Sequence, residues 1–235
     1  MHLDEFQLRT ASFEIRYDSA FAIWDRAGRL WTTLHREFPT IALSQATPNE
    51  VTVQDADWRL SVGLTKAYIM AFWPDSLLGD FPDKATTFTG IVSDTLELAA
   101  FTRIGFRAVF TKSFSDKKAA SAAMLELDLL RVPEGKNFGI DDAEWHLPEY
   151  SIRMENEALG CLVRIKAHEF TISVDPIPEM PRGEMQTIKE TKHELVFDLD
   201  YYTTATVLIS QIRVADWLAQ VFHGIRRDSK NYLGR

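Results

Sequence analysis

From Ser12 to Tyr17 apolar and polar residues alternate, with Phe13, Ile15 and Tyr17 set against Glu14 and Arg16. That is the period-two pattern of a strand with one buried face. The period then changes. Asp18 or Ser19 supplies a cap, and Trp24, Ala27, Trp31, Leu34 and Phe38 recur at three- and four-residue steps until Pro39, which predicts a helix with an aromatic-rich stripe. Ile41 to Val53 and Trp58 to Trp73 are rich in β-branched and aromatic residues and are divided by the polar QDAD. They predict two or three antiparallel strands, stopped by Pro74. Phe88, Ile91, Val92, Thr95, Leu96 and Ala99 mark a second amphipathic helix. The run RIGFRAVFTKSF returns to strand, with Phe106, Ala108 and Phe110 on one face.

Alanines and leucines from Ser115 or Asp116 to about Leu130 predict a third helix, with Pro133 as its stop. Strands are expected at Ser151 to Met154, at Leu159 to Val174 and over KHELVFDLDYYT. A last helix runs from about Ile209 to Tyr232, burying Val214, Leu218, Val221, Phe222 and Ile225. A strand feeds a helix near both ends of the chain, which leaves open two pseudo-repeated halves. The expected class is therefore α+β: mostly antiparallel sheets with helices packed on one face, in ferredoxin-like or related strand-helix-strand units. Residues 1–132 and 133–235 are expected as two α+β halves closely packed into one globular unit.

Composition narrows the function classes. A chain of 235 residues that is 46% apolar can bury a sizeable core. Its formal charge of -8 works against a broad nucleic-acid footprint. The single cysteine, Cys161, excludes an internal disulfide framework and points to a reducing cytoplasm. MHLDEFQLR lacks an apolar signal region, and no apolar run approaches the roughly 20 residues that cross a bilayer. A cytoplasmic protein without membrane contact is expected.

Candidate chemistry is sparse. Neither a Gly-x-Ser-x-Gly elbow, a P-loop nor a Gly-x-Gly-x-x-Gly fingerprint occurs, and the six histidines are scattered. No cofactor is called for. In KHELVFDLDYY, His193, Leu195, Phe197, Leu199 and Tyr201 alternate with Glu194, Val196, Asp198 and Asp200. The acids are then the wet side of an ordinary strand. Alternatively, Glu194, Asp198 and Asp200 hold a divalent metal beside a general base such as His146, as in a metal-dependent hydrolase. One strand alone cannot close such a site.

A second alternative is a nucleic-acid-binding strand, in which Arg103, Arg107, Lys112, Lys117 and Lys118 meet phosphates while the interleaved phenylalanines stack on bases. The acidic average disfavours it. Two connections exceed the usual length: Pro133 to Tyr150, and the stretch after Val174 that holds Pro176, Pro178 and Pro181. Binding concentrates on long loops. Trp145, Met180 and Arg182 are therefore the candidate contacts for a protein partner, a second copy of the chain included. The leading expectation is a non-enzymatic interaction or accessory module.

The segments FEIRYD, TRIGFRAVF and ADWLAQVFHGIRRDSKNYLGR resemble those of a sporadically distributed bacterial family with no established function. Its members have about 250 residues, the size of one large domain or two small ones. That family carries a tyrosine and an asparagine soon after its middle arginine, where Ala108, Val109 and Phe110 stand here. The resemblance implies a bacterial source and the same element order, and it brings no catalytic residues with it.

Overall fold

The alternation at the amino end sets the frame. In the computed structural model, which describes residues 1–75, 79–130, 146–174 and 188–234, strand β1 (Gln7–Arg16) buries Leu8, Ala11, Phe13 and Ile15 on one side. Ser12, Glu14 and Arg16 point to the other. β1 lies between β5 (Lys66–Phe72) and β7 (Arg103–Phe114), antiparallel to both.

The remaining strands are β2 (Ala42–Thr47), β3 (Glu50–Gln54), β4 (Trp58–Gly63), β8 (Glu149–Glu155), β9 (Leu159–Val174) and β10 (Ile188–Thr203). Together they form one nine-stranded antiparallel sheet in the order β2-β3-β4-β5-β1-β7-β10-β9-β8. β6 (Ala100–Phe101) and β11 (Val207–Leu208) make a separate two-stranded ribbon. The fold is mixed α+β, built on a large antiparallel sheet with a few helices.

The helices are α1 (Ile23–Glu37), α2 (Phe81–Leu96), α3 (Lys117–Leu125), α4 (Val214–Asp228) and α5 (Lys230–Leu233). Those that pack on the sheet use the face that carries Phe13 and Phe106. Phe106 is fully buried, with the ring of Phe81 (α2) at 5.8 Å and that of Phe222 (α4) at 4.8 Å, both edge-on. Trp217 of α4 meets Phe13 at 6.0 Å. Ala120 and Met124 of α3, and Ile23, Leu30 and Leu34 of α1, join the same core. No described helix lies on the opposite face, and none is long and apolar enough to cross a membrane.

Several elements depart from the expected bounds for physical reasons. The buried residues of α1 are Ile23, Leu30 and Leu34, with Ala27 and Trp31 partly buried against the same core, so of the expected stripe Trp24 alone is turned outward. Asp18 and Ser19 do not cap it. The Tyr17 and Ala20 N–H groups instead donate to Thr65 and Leu64 carbonyls in the β4–β5 region, and this docking fixes where the helix begins. Trp24 is consequently 56% exposed, its indole donating to the Asn49 side chain.

Two or three strands become four, β2 to β5, because tight turns at Pro48–Asn49 and Leu64–Thr65 each fit one more reversal. α2 starts at Phe81 with Pro82 in its first turn and stops at Glu97, whose left-handed φ of 55° closes it, so Ala99 is outside. α3 has the expected cap, Asp116 accepting from the Ala119 N–H at 2.8 Å, but ends at Leu125 rather than near Leu130. The last helix is divided into a 3-10 turn at Ile209–Gln211, α4 and α5, yet its five expected core residues are all buried.

Phe106→Ala removes the ring that α2 and α4 share. Urea denaturation should show a loss of about 3–5 kcal/mol; a loss below 1 kcal/mol would mean that the two helices do not depend on this contact.

Candidate binding site on the open sheet face

In an antiparallel pair, directly opposed residues share a face, so the register assembles the open face strand by strand. Ser12, Glu14 and Arg16 of β1 lie opposite Arg107, Gly105 and Arg103 of β7. Arg107 lies opposite Asp200, and Asp198 opposite Arg164 of β9. On the other flank, Lys66, Tyr68 and Met70 of β5 extend the same rows. Arginines and lysines slightly outnumber carboxylates on this face, in a chain whose net charge is -8.

The charges are cross-linked between strands. Arg107 grips Asp198 with two bonds, Nε to Oδ1 at 2.7 Å and Nη2 to Oδ2 at 2.8 Å, and Arg164 Nη1 reaches the same carboxylate at 3.0 Å. Arg9, beside the β1 bulge, donates to both oxygens of Glu194, and its guanidinium lies 5.4 Å from the Trp73 ring and 5.3 Å from that of Phe170. Arg103 stacks on Tyr202 at 4.0 Å and meets Asp200 at 3.3 Å. The Tyr202 hydroxyl donates to Glu155.

The strand KHELVFDLDYY thus has its expected alternation, but its acidic side is not wet. Glu194 and Asp198 are 4% and 6% exposed, because long guanidinium side chains lie across them, from the adjacent β7 and β9 on Asp198 and from β1, over β7, on Glu194. Asp200 differs from both. Burial pushes its carboxyl above the usual 3.8, outweighing the pull of Arg103 and Arg107, and Asp198 and Glu14 add to the rise. Its bond to Asp198 holds the Arg107 guanidinium even more firmly charged than usual.

Between β5, β1, β7 and β10 these side chains leave a depression of about 260 Å³. Its lining includes Glu14, Arg16, Lys66, Tyr68, Arg103, Arg107 and Asp200, and Gly105 supplies a flat patch of floor.

The expected site residues separate in space. Arg103 and Arg107 are on the open face, whereas Lys112 is on the other side of β7, bonding Glu5 at 2.6 Å, and Lys117 and Lys118 belong to α3. The five cations do not form one surface. His146 precedes Leu147, whose N–H donates to Ser121 of α3 on the helix side, while Asp198 and Asp200 point away from the helices. Glu194, Asp198 and Asp200 share a face but meet guanidinium groups rather than one another, and no group of three or more His, Cys, Asp or Glu among the described residues is placed to hold a metal. Trp145, Met180 and Arg182 lie outside the described residues. Cys161 is buried, its thiol pushed up to about 11, which leaves little thiolate at neutral pH.

Arg9, Glu14, Arg16, Lys66, Tyr68, Gly105 and Arg164 were not expected at a site. All but Arg9 occupy the polar phase of a strand, which the alternation shows; Arg9 falls in the apolar phase of β1 and reaches the open face through the bulge between Leu8 and Thr10, and what the alternation also lacks is which strands are neighbours. No family model matches the chain, and no curated protein or solved structure matches it either. The resemblance to the bacterial family therefore rests on the three segments that carry it.

Asp198→Asn leaves two guanidinium groups sharing a neutral amide. Because Arg107 and Arg164 remain partly in water, the loss should be about 1–3 kcal/mol in chemical denaturation, and a variant as stable as wild type would remove Asp198 as the knot of the network. The folded chain holds the Asp200 proton more tightly than the unfolded chain does. This residue's contribution to stability is therefore fully present below pH 3.8 and is lost as pH rises through the raised value. The stability of wild type minus that of Asp200→Asn should fall as pH rises from there, and a difference independent of pH would show that burial does not act on this carboxyl.

Proposed function

We propose that this protein is a non-enzymatic interaction module of a bacterial cytoplasmic complex, and that its protein partner sits on the open face of the sheet. The observation that carries this reading is the one-sided cover: the helices pack on one face, and the other presents an ordered grid of arginines and carboxylates.

Extent supports it. Nine strands at about 4.8 Å spacing span roughly 40 Å, more than enough for the ~800 Å² that each partner contributes to a standard interface. Chemistry supports it as well. Carboxylates engaged by guanidinium groups are poor general bases and poor metal ligands, whereas fixed, alternating charges discriminate between partners.

The element order also favours two pseudo-repeated halves, divided between α2 and β7 rather than at the expected residue 132. One strand, a helix, an antiparallel meander and a second helix occur as β1-α1-β2 to β5-α2, and again as β7-α3-β8 to β10-α4. The first strands of the two halves, β1 and β7, are neighbours, and the last strand of each meander pairs with the first strand of its own half. The depression around Gly105 lies at that seam.

Native mass spectrometry of the chain gently purified from its own host should show a stoichiometric second protein. Arg16 and Lys66 are exposed at the rim of the depression. The double variant Arg16→Glu, Lys66→Glu should keep the wild-type melting temperature and weaken that association about tenfold or more. A partner held equally well by the variant would remove the open face from the reading, and a bare monomer would remove the partner.

A further inference from the structure

Resting on that reading, we infer that the depression over Gly105 receives the side-chain carboxylate of an aspartate or glutamate from the protein partner.

The first argument is charge. Four cationic side chains, Arg16, Lys66, Arg103 and Arg107, line the depression against two carboxylates, Glu14 and Asp200. Arg107 is committed to Asp198, next to the depression, and Arg16 Nε is held by Glu14 at 2.7 Å. Lys66 makes no ion pair among the described residues and is exposed. The depression therefore keeps positive charge that its own residues do not neutralise.

The second argument is a donor without an acceptor. Arg103 Nε is shielded from water and has no hydrogen-bond partner, which is rare for a buried polar atom. Its contact with Asp200 at 3.3 Å is long beside the 2.7–2.9 Å usual for such a pair. Arg103 is thus the loosely held arginine of the site, lying on the Tyr202 ring with part of its side chain, though not Nε, open to an incoming oxygen. Its Nε stands 3.9 Å from where a Cβ on Gly105 would lie, directly over the floor.

The third argument is size and surroundings. About 260 Å³ accommodates a side-chain head group and falls below the ~300–1,000 Å³ of pockets that enclose whole ligands. A nucleic acid would need a continuous positive track for successive phosphates. Glu14, Glu50, Asp198 and Asp200 interrupt any such track on this face. A single carboxylate on a protein surface fits where a polyanion does not.

The test uses the intact chain, following the backbone amide of Gly105 and the Nε–H signal of Arg103 by ¹H–¹⁵N NMR. The probes are acetyl-glutamate amide, with one side-chain carboxylate, and acetyl-glutamine amide, with none. The glutamate probe should move both signals saturably at roughly 10 mM, the glutamine probe should not, and Lys66→Ala should weaken the response about fivefold or more. Equal responses to the two probes, or none, would overturn the assignment. So would inorganic phosphate or a short single-stranded oligonucleotide moving the same signals at far lower concentration, since that outcome assigns the depression to phosphate. A glutamate response in a chain whose partner ignores Arg16→Glu, Lys66→Glu would keep the carboxylate site and discard the partner reading. A partner lost on that substitution without a glutamate response would do the reverse.

Discussion

The antiparallel pairing of β1 with β7 is the constraint on which the rest depends. Its register sets Phe13 against Phe106 and Glu14 against Gly105, and since side chains alternate, the same register commits every residue of both strands to a face. A slip of one residue would turn Phe13 outward and bring Glu14 beneath the helices. Phe106 also carries the rings of α2 and α4, so the pairing anchors the core as well. From it the sheet extends through β5 on one side and β10 on the other. The β1–β7 pairing therefore also forms the floor of the depression.

The open face needs its charges paired because two of them are nearly out of water. An isolated buried carboxylate is costly, and a guanidinium that offers two parallel donors satisfies it better than an ammonium does. Arginine holds this role at Arg9, Arg107 and Arg164, and the lysine at position 66 stands at the exposed rim. The contribution to stability is modest, because the outer ends of the arginines stay hydrated. Geometry is what the network supplies: each of these head groups is tied to another strand, Arg107 and Arg164 to the adjacent β10 and Arg9 to β10 across β7.

Much of the architecture was legible in the chain, and its limits have a pattern. Alternation placed the two faces of β10 correctly, and the three- and four-residue steps located every core residue of α4, because both follow from local periodicity. The misplacement of Trp24 came from a long-range cause, the docking of the Tyr17 and Ala20 amides on the β4–β5 region. The candidate site failed in the same way. Asp198 and Asp200 were visible as acids on one side of a strand, but Arg164 and Arg107 reach Asp198 from positions 34 and 91 residues away. Periodicity states which way a side chain points and is silent on which strand lies beside it.

The same network explains how a sheet can keep one face without helices and still be ordered there. Thr52, Ser61, Thr111, Val196 and Tyr202 on that side are all under 9% exposed, screened by the long side chains of adjacent strands rather than by a second layer. Thr52 and Ser61 bond to each other at 3.1 Å, and Ser61 donates to Glu50. Tyr202 lies across Gly160, where even one added methyl would overlap its ring. The polar side chains thus act as a thin cover that is already fixed in place. Ordering flexible side chains is a main cost of association; a face whose arginines are held by carboxylates before any partner arrives has met much of that cost in folding. Arg103, held only by a long contact to Asp200, and the exposed Lys66 are less firmly fixed, and both border the depression at the β1–β7 seam.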